Sequence, residues 1–163
     1  MNTTTELDAA DLRLLGLLQQ DASRSNQELA AAAHLATATC HRRVQRLRQL
    51  GLIERTVALL DPARVKELLG VGLQAVLEVS LDEQASEKLQ AFETRAVARA
   101  EVMQCWRVSG GPDFVLMVSV ADMDHYNALT QQLLSDDVNV RNVRAFFCTR
   151  QAKFSTALAL RSK

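Results

Sequence analysis

The first fifty residues show the apolar spacing of short helices. Leucines recur at helical intervals up to Leu18, and Asp8 before them suits a helix N-cap, so a first helix is predicted here. Ser25 and Glu28 then form the S-x-x-E pattern of a capping box, which satisfies free backbone amides at both of its ends. This pattern predicts a second, alanine-rich helix that runs to about Ala33.

A third helix is predicted over residues 37–50, ended by Gly51, with one apolar stripe and one polar face. At 100° per residue, Cys40, Val44 and Leu47 share the stripe, so we expect them to pack on the first two helices. Cys40 is thereby interpreted as a core residue rather than a redox thiol. Two short helices, a tight break and a third helix with an outward polar face are the helix-turn-helix arrangement.

The third helix is followed by a predicted strand, a linker and a second domain. Residues 52–58 have the pattern of a strand that would close the helical unit as a wing. An Asp-Pro pair then opens the linker. We therefore expect a helix-turn-helix domain over residues 1–60, a linker over residues 61–70 and a second domain over residues 71–163.

The second domain alternates strands with helices. Strict apolar–polar alternation over residues 71–81 predicts a half-buried strand, and a helix follows it. Strands over residues 102–109 and 114–120 are joined by a Gly-Gly-Pro turn. Asp122 caps the second helix, and residues 138–149 form the last strand. The order βαββαβ is the ferredoxin-like split motif, so the expected fold class is α+β, a winged helix-turn-helix plus a ferredoxin-like domain.

The central strands carry apolar residues on both faces, as Val115 and Met117 show beside Phe114 and Leu116. Two helices cover only one face of a sheet, so we expect a second subunit on the other face and at least a homodimer. Trp106, the single tryptophan, is expected in the core; the alternative is an exposed position where it reports on ligand binding.

Charge points to one helix rather than to the whole chain. The 163 residues include 19 basic and 19 acidic side chains, but residues 1–60 hold seven Arg, no Lys and six acids. Five of these Arg lie between Thr37 and Arg55, a pattern that a solvated helix face also explains. Guanidiniums and amides bond base edges and phosphates, and small residues let a helix start approach DNA. The predicted DNA-facing residues are Thr37, Ala38, Thr39, His41, Arg42, Gln45 and Arg46, and Arg43 lies on the flank of the helix.

Several functional classes lack their signals. Cys40, Cys105 and Cys148 are odd in number and widely spaced, which favours reduced thiols in the cytoplasm over disulfides or a metal site. The chain has no HExxH, GxSxG or P-loop motif, and no apolar run of the ~18 residues that a membrane helix needs. The N-terminus lacks the order of a secretory signal. We therefore expect no catalytic residues, metal, cofactor or membrane partner.

Short motifs follow one another in a fixed order along nearly the whole chain. The N-terminal ones are Leu7-Asp8-Ala9-Ala10-Asp11, Asn26-Gln27-Glu28-Leu29-Ala30, Arg42-Arg43-Val44-Gln45-Arg46-Leu47 and Gly51-Leu52-Ile53. Further along come Leu60-Asp61-Pro62, Val108-Ser109-Gly110-Gly111-Pro112-Asp113-Phe114 and Asn139-Val140-Arg141-Asn142-Val143. In this order they make the chain resemble the Lrp/AsnC (feast/famine) family of transcriptional regulators.

The resemblance implies an N-terminal domain that binds double-stranded DNA and a C-terminal effector-binding (RAM) domain, and it adds Arg43 to the DNA-facing residues. It also implies an amino acid or a related small effector, and dimers that assemble to tetramers or octamers. The effector loop would comprise Ser109, Gly110, Gly111 and Asp113. Glycines let a ligand carboxylate approach backbone amides, and an Asp can receive an ammonium group. The alternative is that the loop only closes a hairpin, which Asp113 caps.

The chain departs from the family at places that bear on function. Thr37 follows an Ala where the family usually has Ser-Pro, so Thr37 is expected to cap the third helix. Ala145 stands where Ser or Thr is frequent, which points to altered effector recognition. Sirohaem decarboxylases are similar in fold, so an enzyme is one alternative, and an assembly-type amino-acid sensor with weak DNA binding is another. His34, His41 and His125 form no convergent acid–base set in the predicted fold, so we expect a regulator rather than an enzyme.

Overall fold

The computed structural model describes residues 6–70, 72–135 and 139–160. This part of the chain divides into two compact units. The helical unit comprises residues 6–59 and 153–160, and the sheet unit comprises the remaining described residues up to 152. The C-terminal segment, which the sequence assigned to the second domain, thus belongs to the helical unit.

Three helices form the helical unit: α1 (Ala9–Gln20), α2 (Asn26–Ala33) and α3 (Thr37–Gln49). Capping boxes form at the start of α1 and of α2, where Asp8 and Ser25 each accept a hydrogen bond from the backbone amide three residues on. The predicted apolar stripe of α3 is confirmed. The buried residues of this unit's core are Leu14, Leu15, Leu29, Ala30, Ala33, Cys40, Val44 and Leu47.

A left-handed residue makes the tight turn between α2 and α3. His34 has φ 57°, and its amide donates to the Ala31 carbonyl at 3.1 Å while the Leu35 amide donates to the Ala30 carbonyl at 2.9 Å. This pair of bonds is a Schellman motif, which normally uses glycine at the left-handed position. Gly51, with φ 72°, makes the same motif at the end of α3. The turn therefore places α3 across α2 with the chain direction sharply changed.

The segment from residue 52 to residue 70 differs from its sequence-based prediction in two ways. Residues 52–58 form no strand, because a strand needs a hydrogen-bonding neighbour and none of the described strands lies beside them. The predicted linker contains a helix, α4 (Pro62–Leu69). Asp61 caps it by accepting from two backbone amides, and Gly70 ends it in the left-handed region.

The sheet unit confirms the predicted α+β fold class and the βαββαβ order. Its sheet is antiparallel with strand order β2-β3-β1-β4, and Val71 and residue 138, the predicted ends of two strands, lie outside the described residues. The elements are β1 (Leu73–Leu81), α5 (Ser86–Val97), β2 (Val102–Arg107), β3 (Phe114–Val120), α6 (Met123–Thr130), a π-helical turn (Gln131–Ser135) and β4 (Val140–Phe147).

One face of the sheet packs against α5 and α6. Leu77 of β1 and Leu116 of β3 are buried there, and the rings of Phe92 and Phe114 lie 4.8 Å apart between their centroids. Alternate residues of the strands point away from this core. The fold thus buries one face of the sheet and leaves the other to be covered by something else.

The second face of the sheet is open in the single chain. Strand register places five apolar residues on it, and Trp106 among them is 59% exposed. The expectation that Trp106 is a core residue was therefore wrong for the chain alone, because its strand presents it to the uncovered face. These residues, named here the open sheet face, are Val76, Trp106, Val115, Met117 and Phe146.

The C-terminal segment is attached to α1 by a reciprocal amide contact. The Gln19 side chain donates from Nε2 to the Leu158 carbonyl at 3.3 Å, and its Oε1 accepts from the Leu158 amide at 2.6 Å. An amide side chain thereby pairs with a backbone unit as a neighbouring strand would.

Among the described residues, no helix is long and apolar enough to cross a membrane.

Candidate nucleic-acid interface and effector loop

The polar face of α3 is exposed and lies opposite the buried stripe of that helix. Arg42 and Gln45 point outward, one turn of helix apart, and neither Arg42 nor the flanking Arg48 has an ion-pair partner among the described residues. The guanidinium of Arg42 is therefore available to an external acceptor. The exposed members of the predicted DNA-facing set are Thr37, Ala38, His41, Arg42 and Gln45, and Thr39 is half-buried.

Two arginines of the predicted set are engaged inside the helical unit instead. Arg43 Nη1 lies 2.8 Å from Asp8 Oδ2 and 2.9 Å from Asp11 Oδ1. Arg46 Nη1 lies 3.0 Å from Asp11 Oδ2, and its Nη2 donates to the Glu6 carbonyl at 3.3 Å. Asp11 is thus a buried carboxylate with each of its oxygens bonded to a different guanidinium.

The pKa values of this cluster follow from its contacts. Hydrogen bonds to Asp11 and Asp8 raise the pKa of Arg43, so its charge is held firmly. The Asp11 backbone amide, and secondarily Arg43, lower the pKa of Asp8. On the buried stripe of α3, burial raises the pKa of the Cys40 thiol, which suits the core role expected for that residue.

The start of α3 is not capped as the sequence suggested. Ala36 occupies the N-cap position and makes no side-chain hydrogen bond, while Thr37 is the first helical residue. Asn26, at the start of α2, donates from its side-chain amide to the Thr37 carbonyl at 3.0 Å. The amides of the first turn of α3 therefore lack a side-chain acceptor, and a bare helix start of this kind favours a phosphate oxygen.

The predicted effector loop closes the β2–β3 hairpin. The Val108 amide donates to the Asp113 carbonyl at 3.0 Å, and Gly110 is exposed with φ 87°. Among the described residues, no hydrogen bond engages the Gly110 or Gly111 amide. Ser109, Gly110 and Gly111 are all exposed, so these amides face solvent.

Asp113 has a structural partner that the sequence did not reveal. Its Oδ2 accepts from the Leu81 amide at 2.7 Å, and its own amide donates to the Val79 carbonyl at 2.9 Å. These bonds extend the ladder between β1 and β3 beyond the last strand pair. Asp113 Oδ2 therefore ties the β2–β3 hairpin to the end of β1.

The same end of β1 is held from the β4 side by Asn139. Its Oδ1 accepts from the Glu83 amide at 2.9 Å, and the Asp82 amide donates to its carbonyl at 2.9 Å. The nearly buried Asn139 and the half-buried Asp113 thus fix both sides of the strand end next to the loop. The loop is consequently presented on a rigid base.

The three histidines are divided between the two units. His34 and His41 belong to the helical unit, and His125 belongs to the sheet unit, where its Nε2 lies 3.0 Å from Glu101 Oε1. His34 has the left-handed backbone conformation of the turn between α2 and α3. His41 is exposed on the polar face of α3. Each histidine therefore has a separate setting.

Sequence reasoning missed Asp11, Asn26 and Arg48 as residues that shape or extend the α3 surface. Asp8 and Asp11 stand three residues apart at the start of α1, so both carboxylates emerge on one side of that helix. This pair of acids, in a unit that also contains an arginine-rich helix, is the sequence signal that could have indicated ion pairs between α1 and α3. Their pairing with particular arginines depends on how α1 and α3 pack, which spacing does not give.

The comparisons with known proteins agree along both units. The family model of the AsnC-type helix-turn-helix domain matches residues 7–48, and that of the Lrp/AsnC ligand binding domain matches residues 74–158. The DNA-binding transcriptional activator DecR of Escherichia coli (strain K12) is 36% identical over 154 residues, which cover 94% of this chain and 99% of DecR.

Solved structures show the same relationship. The crystal structure of an AsnC family transcriptional regulator from Agrobacterium tumefaciens has a TM-score of 0.84 and 29% identity, and covers 94% of this chain and 97% of that one. A transcriptional regulator from Neisseria meningitidis, solved as a complex with L-Met, has a TM-score of 0.84 and 27% identity, with 94% and 96% covered. The chain therefore belongs to the Lrp/AsnC family of transcriptional regulators, with a DNA-binding helix-turn-helix domain and a ligand-binding domain.

Proposed function

We propose that this regulator reads specific DNA sequences with the outer face of α3 in the major groove. The observation that carries the proposal is the exposed polar face of α3, where the Arg42 guanidinium has no ion-pair partner among the described residues. Arg42 and Gln45 bond base edges, and the uncapped start of α3 and Thr37 approach phosphates.

Helix-turn-helix proteins bind two half-sites as dimers, with one recognition helix in each major groove, so recognition of this kind needs two copies of α3. We propose that two chains pair through the open sheet face, because Val115, Met117 and Phe146 there lack a covering layer among the described residues. The two recognition helices then enter successive major grooves about 34 Å apart. Val115→Asp places a charge at the centre of this face, and the wild-type dimer should become a monomer in sedimentation velocity. A dimer that persists in this variant contradicts the proposed pairing.

The DNA proposal is tested on a duplex that the wild-type protein enriches from a random-sequence pool. Arg42→Ala should weaken binding to that duplex by about 1–3 kcal/mol, since a bidentate contact to a base edge is lost. The matched control is Arg64→Ala, which removes an exposed arginine that pairs with Glu67 on α4 of the sheet unit. Equal affinities for Arg42→Ala and wild type in a gel-shift titration remove Arg42 from the interface, and failure to enrich any duplex refutes the function.

We further propose an amino acid or a close relative as the effector, bound at residues 109–113. The free amides of Gly110 and Gly111 suit a carboxylate, and L-Met bound to the Neisseria relative supports this ligand class. Because Asp113 Oδ2 is occupied by the Leu81 amide, Oδ1 is the oxygen that would take the ammonium group. The effector acts by binding two assemblies of the dimer with different affinity.

A thermal-shift screen of the twenty amino acids tests the effector proposal. Gly111 lies outside the left-handed region and has open space where a Cβ atom would stand, so Gly111→Val should preserve the fold while obstructing the loop. It should abolish the stabilisation that the active amino acid gives to wild type. Ala91→Val, on the exposed side of α5, is the control and should keep the shift. An unchanged shift in Gly111→Val places the effector elsewhere.

A further inference from the structure

Arg46 lies on the same side of α3 as Arg42, and its side chain is 42% exposed, yet its guanidinium is bonded within the helical unit. Residues four apart on a helix differ by only about 40° in direction, so Arg46 lies almost directly one turn beyond Arg42. Arg42 is exposed and unpaired among the described residues, whereas Arg46 bonds to Asp11 and to the Glu6 carbonyl. The difference between these two arginines comes from α1 and not from α3.

Asp11 is the group that makes this difference. Its side chain is only 2% exposed, and it holds Arg43 with one oxygen and Arg46 with the other. Asp8 adds a second contact to Arg43 at 2.8 Å. The Arg43 side chain is 27% exposed, and its Nε is buried without a hydrogen-bond partner among the described residues, so this arginine is packed into the unit.

The cluster of Asp8, Asp11, Arg43 and Arg46 carries two negative and two positive charges and is therefore neutral. A guanidinium that neutralises a carboxylate beside it contributes little to counterion release from DNA. Of the four arginines between residues 42 and 48, only Arg42 and Arg48 then remain to act on the duplex.

We infer that Asp11 is a positioning residue for DNA recognition, which withholds Arg43 and Arg46 from the phosphates and leaves base reading to Arg42. This inference rests on the proposed DNA-binding function. It assigns a specificity role to a residue of α1, outside the helix that is proposed to read DNA. Nonspecific affinity is reduced because two cations are neutralised, while the orientation of α3 on α1 is fixed by the same bonds.

The test measures how the dissociation constant depends on salt, on the enriched duplex and on a random-sequence duplex. Asp11→Asn keeps the shape of the side chain but removes its charge, so Arg46 loses its only carboxylate partner among the described residues, while Arg43 keeps Asp8. The slope of log affinity against log salt should steepen by about 0.9 for each guanidinium that gains a phosphate. Affinity for the random duplex should rise several-fold, and the ratio of specific to random affinity should fall. A merely structural role for Asp11 would reduce the amount of folded protein and leave the slope unchanged.

Two further variants make the result decisive. Asp21→Asn makes the same charge change at the other end of α1, where Asp21 bonds Ser23 and Arg24, and should leave slope and ratio as in wild type. Arg46→Gln should leave the slope and the ratio of specific to random affinity unchanged, whereas Arg42→Gln should lower that ratio, because Arg42 reads a base edge. If Asp11→Asn does not fold, the Arg46→Gln measurement decides alone.

The inference is overturned if Asp11→Asn has the wild-type slope, or if Arg46→Gln makes the slope shallower by about 0.9, the change expected when one phosphate contact is lost. Failure of the proposed function itself looks different, because the wild-type protein would then show no salt-dependent preference for any enriched duplex. The two failures are therefore distinguished in the same set of titrations.

Discussion

The helical unit and the sheet unit are held together by different kinds of interaction. In the helical unit, capping boxes close the starts of α1 and α2 and the buried Asp11 joins α1 to α3, around a modest apolar core. In the sheet unit, apolar side chains of the helices pack on apolar side chains of β1 and β3, and the ring of Phe92 contacts that of Phe114. Directional polar contacts fix angles between helices, whereas apolar burial supplies most of the free energy of folding. The unit that carries α3 is thus the one whose geometry is set by polar bonds.

The largest expected effect comes from opening the core of the sheet unit. Phe92→Ala removes a fully buried ring that contacts Phe114, and should lower the free energy of unfolding by about 3–5 kcal/mol. Urea denaturation followed by the fluorescence of Trp106, which lies in the sheet unit, measures this loss.

Val97→Ala is the control for Phe92→Ala. It lies at the end of the same helix, is 61% exposed, and should change the free energy of unfolding by less than about 0.5 kcal/mol. If both substitutions cost the same, apolar burial under α5 does not dominate the stability of the sheet unit, and the contrast between the units is lost.

Local chemistry made much of the helical unit predictable. The capping boxes of Asp8 and Ser25 lie within three residues of chain, so spacing alone identifies them. The stripe of Cys40, Val44 and Leu47 is a property of one helix and was equally visible. These features need no knowledge of the rest of the molecule.

A smaller effect is expected from the two Schellman motifs, which differ only in the residue at the left-handed position. His34→Gly should raise the free energy of unfolding by up to about 1 kcal/mol, because the side chain at φ 57° strains the backbone. Gly51→Ala, at φ 72° with open space around it, should lower it by about 1 kcal/mol for the same reason. Far-UV circular dichroism during thermal unfolding measures both. Changes of the same sign at the two positions contradict this explanation.

The smallest effect sharpens the contrast by pH. Hydrogen bonds lower the pKa of Asp8, Asp21 and Glu28 in the helical unit, with the Asp11 amide, the Ser23 hydroxyl and the Ser25 hydroxyl as the main causes. A carboxyl with a lowered folded-state pKa adds stability above its unfolded value, near 3.8 for Asp and 4.5 for Glu, and loses it as pH falls through the folded value. In the sheet unit, Glu101 is the described acid with such a shift.

Acidification from about pH 5 to about pH 3 should therefore weaken the helical unit before the sheet unit. Backbone amide signals in two-dimensional NMR follow each unit separately during the titration. Glu28→Gln keeps the capping-box geometry but removes one titrating group, so it should reduce the pH dependence of the α1–α2 signals. Simultaneous loss of signals from both units counts against the comparison.

The features that sequence reasoning did not predict correctly depend on distant partners. Residues 52–58 were predicted as a strand, but strand pairing is decided by what lies beside a segment. The contact between Arg46 and Asp11 joins residues 35 apart and follows from the crossing of two helices. Trp106 has the pattern of a core residue, yet its burial requires a second layer over the open sheet face. The helix Pro62–Leu69 was predictable locally, since Asp61, Pro62 and Gly70 are its end signals.

The docking of residues 153–160 on α1 has a consequence for protein engineering. The helical unit is assembled from residues 6–59 and 153–160, so it is not one contiguous segment of the chain. A gene fusion that transfers only residues 1–60 leaves Gln19 without its Leu158 partner. The side of α1 that residues 153–160 contact is then uncovered. Chimeric regulators built from this chain should therefore exchange residues 153–160 together with residues 6–59.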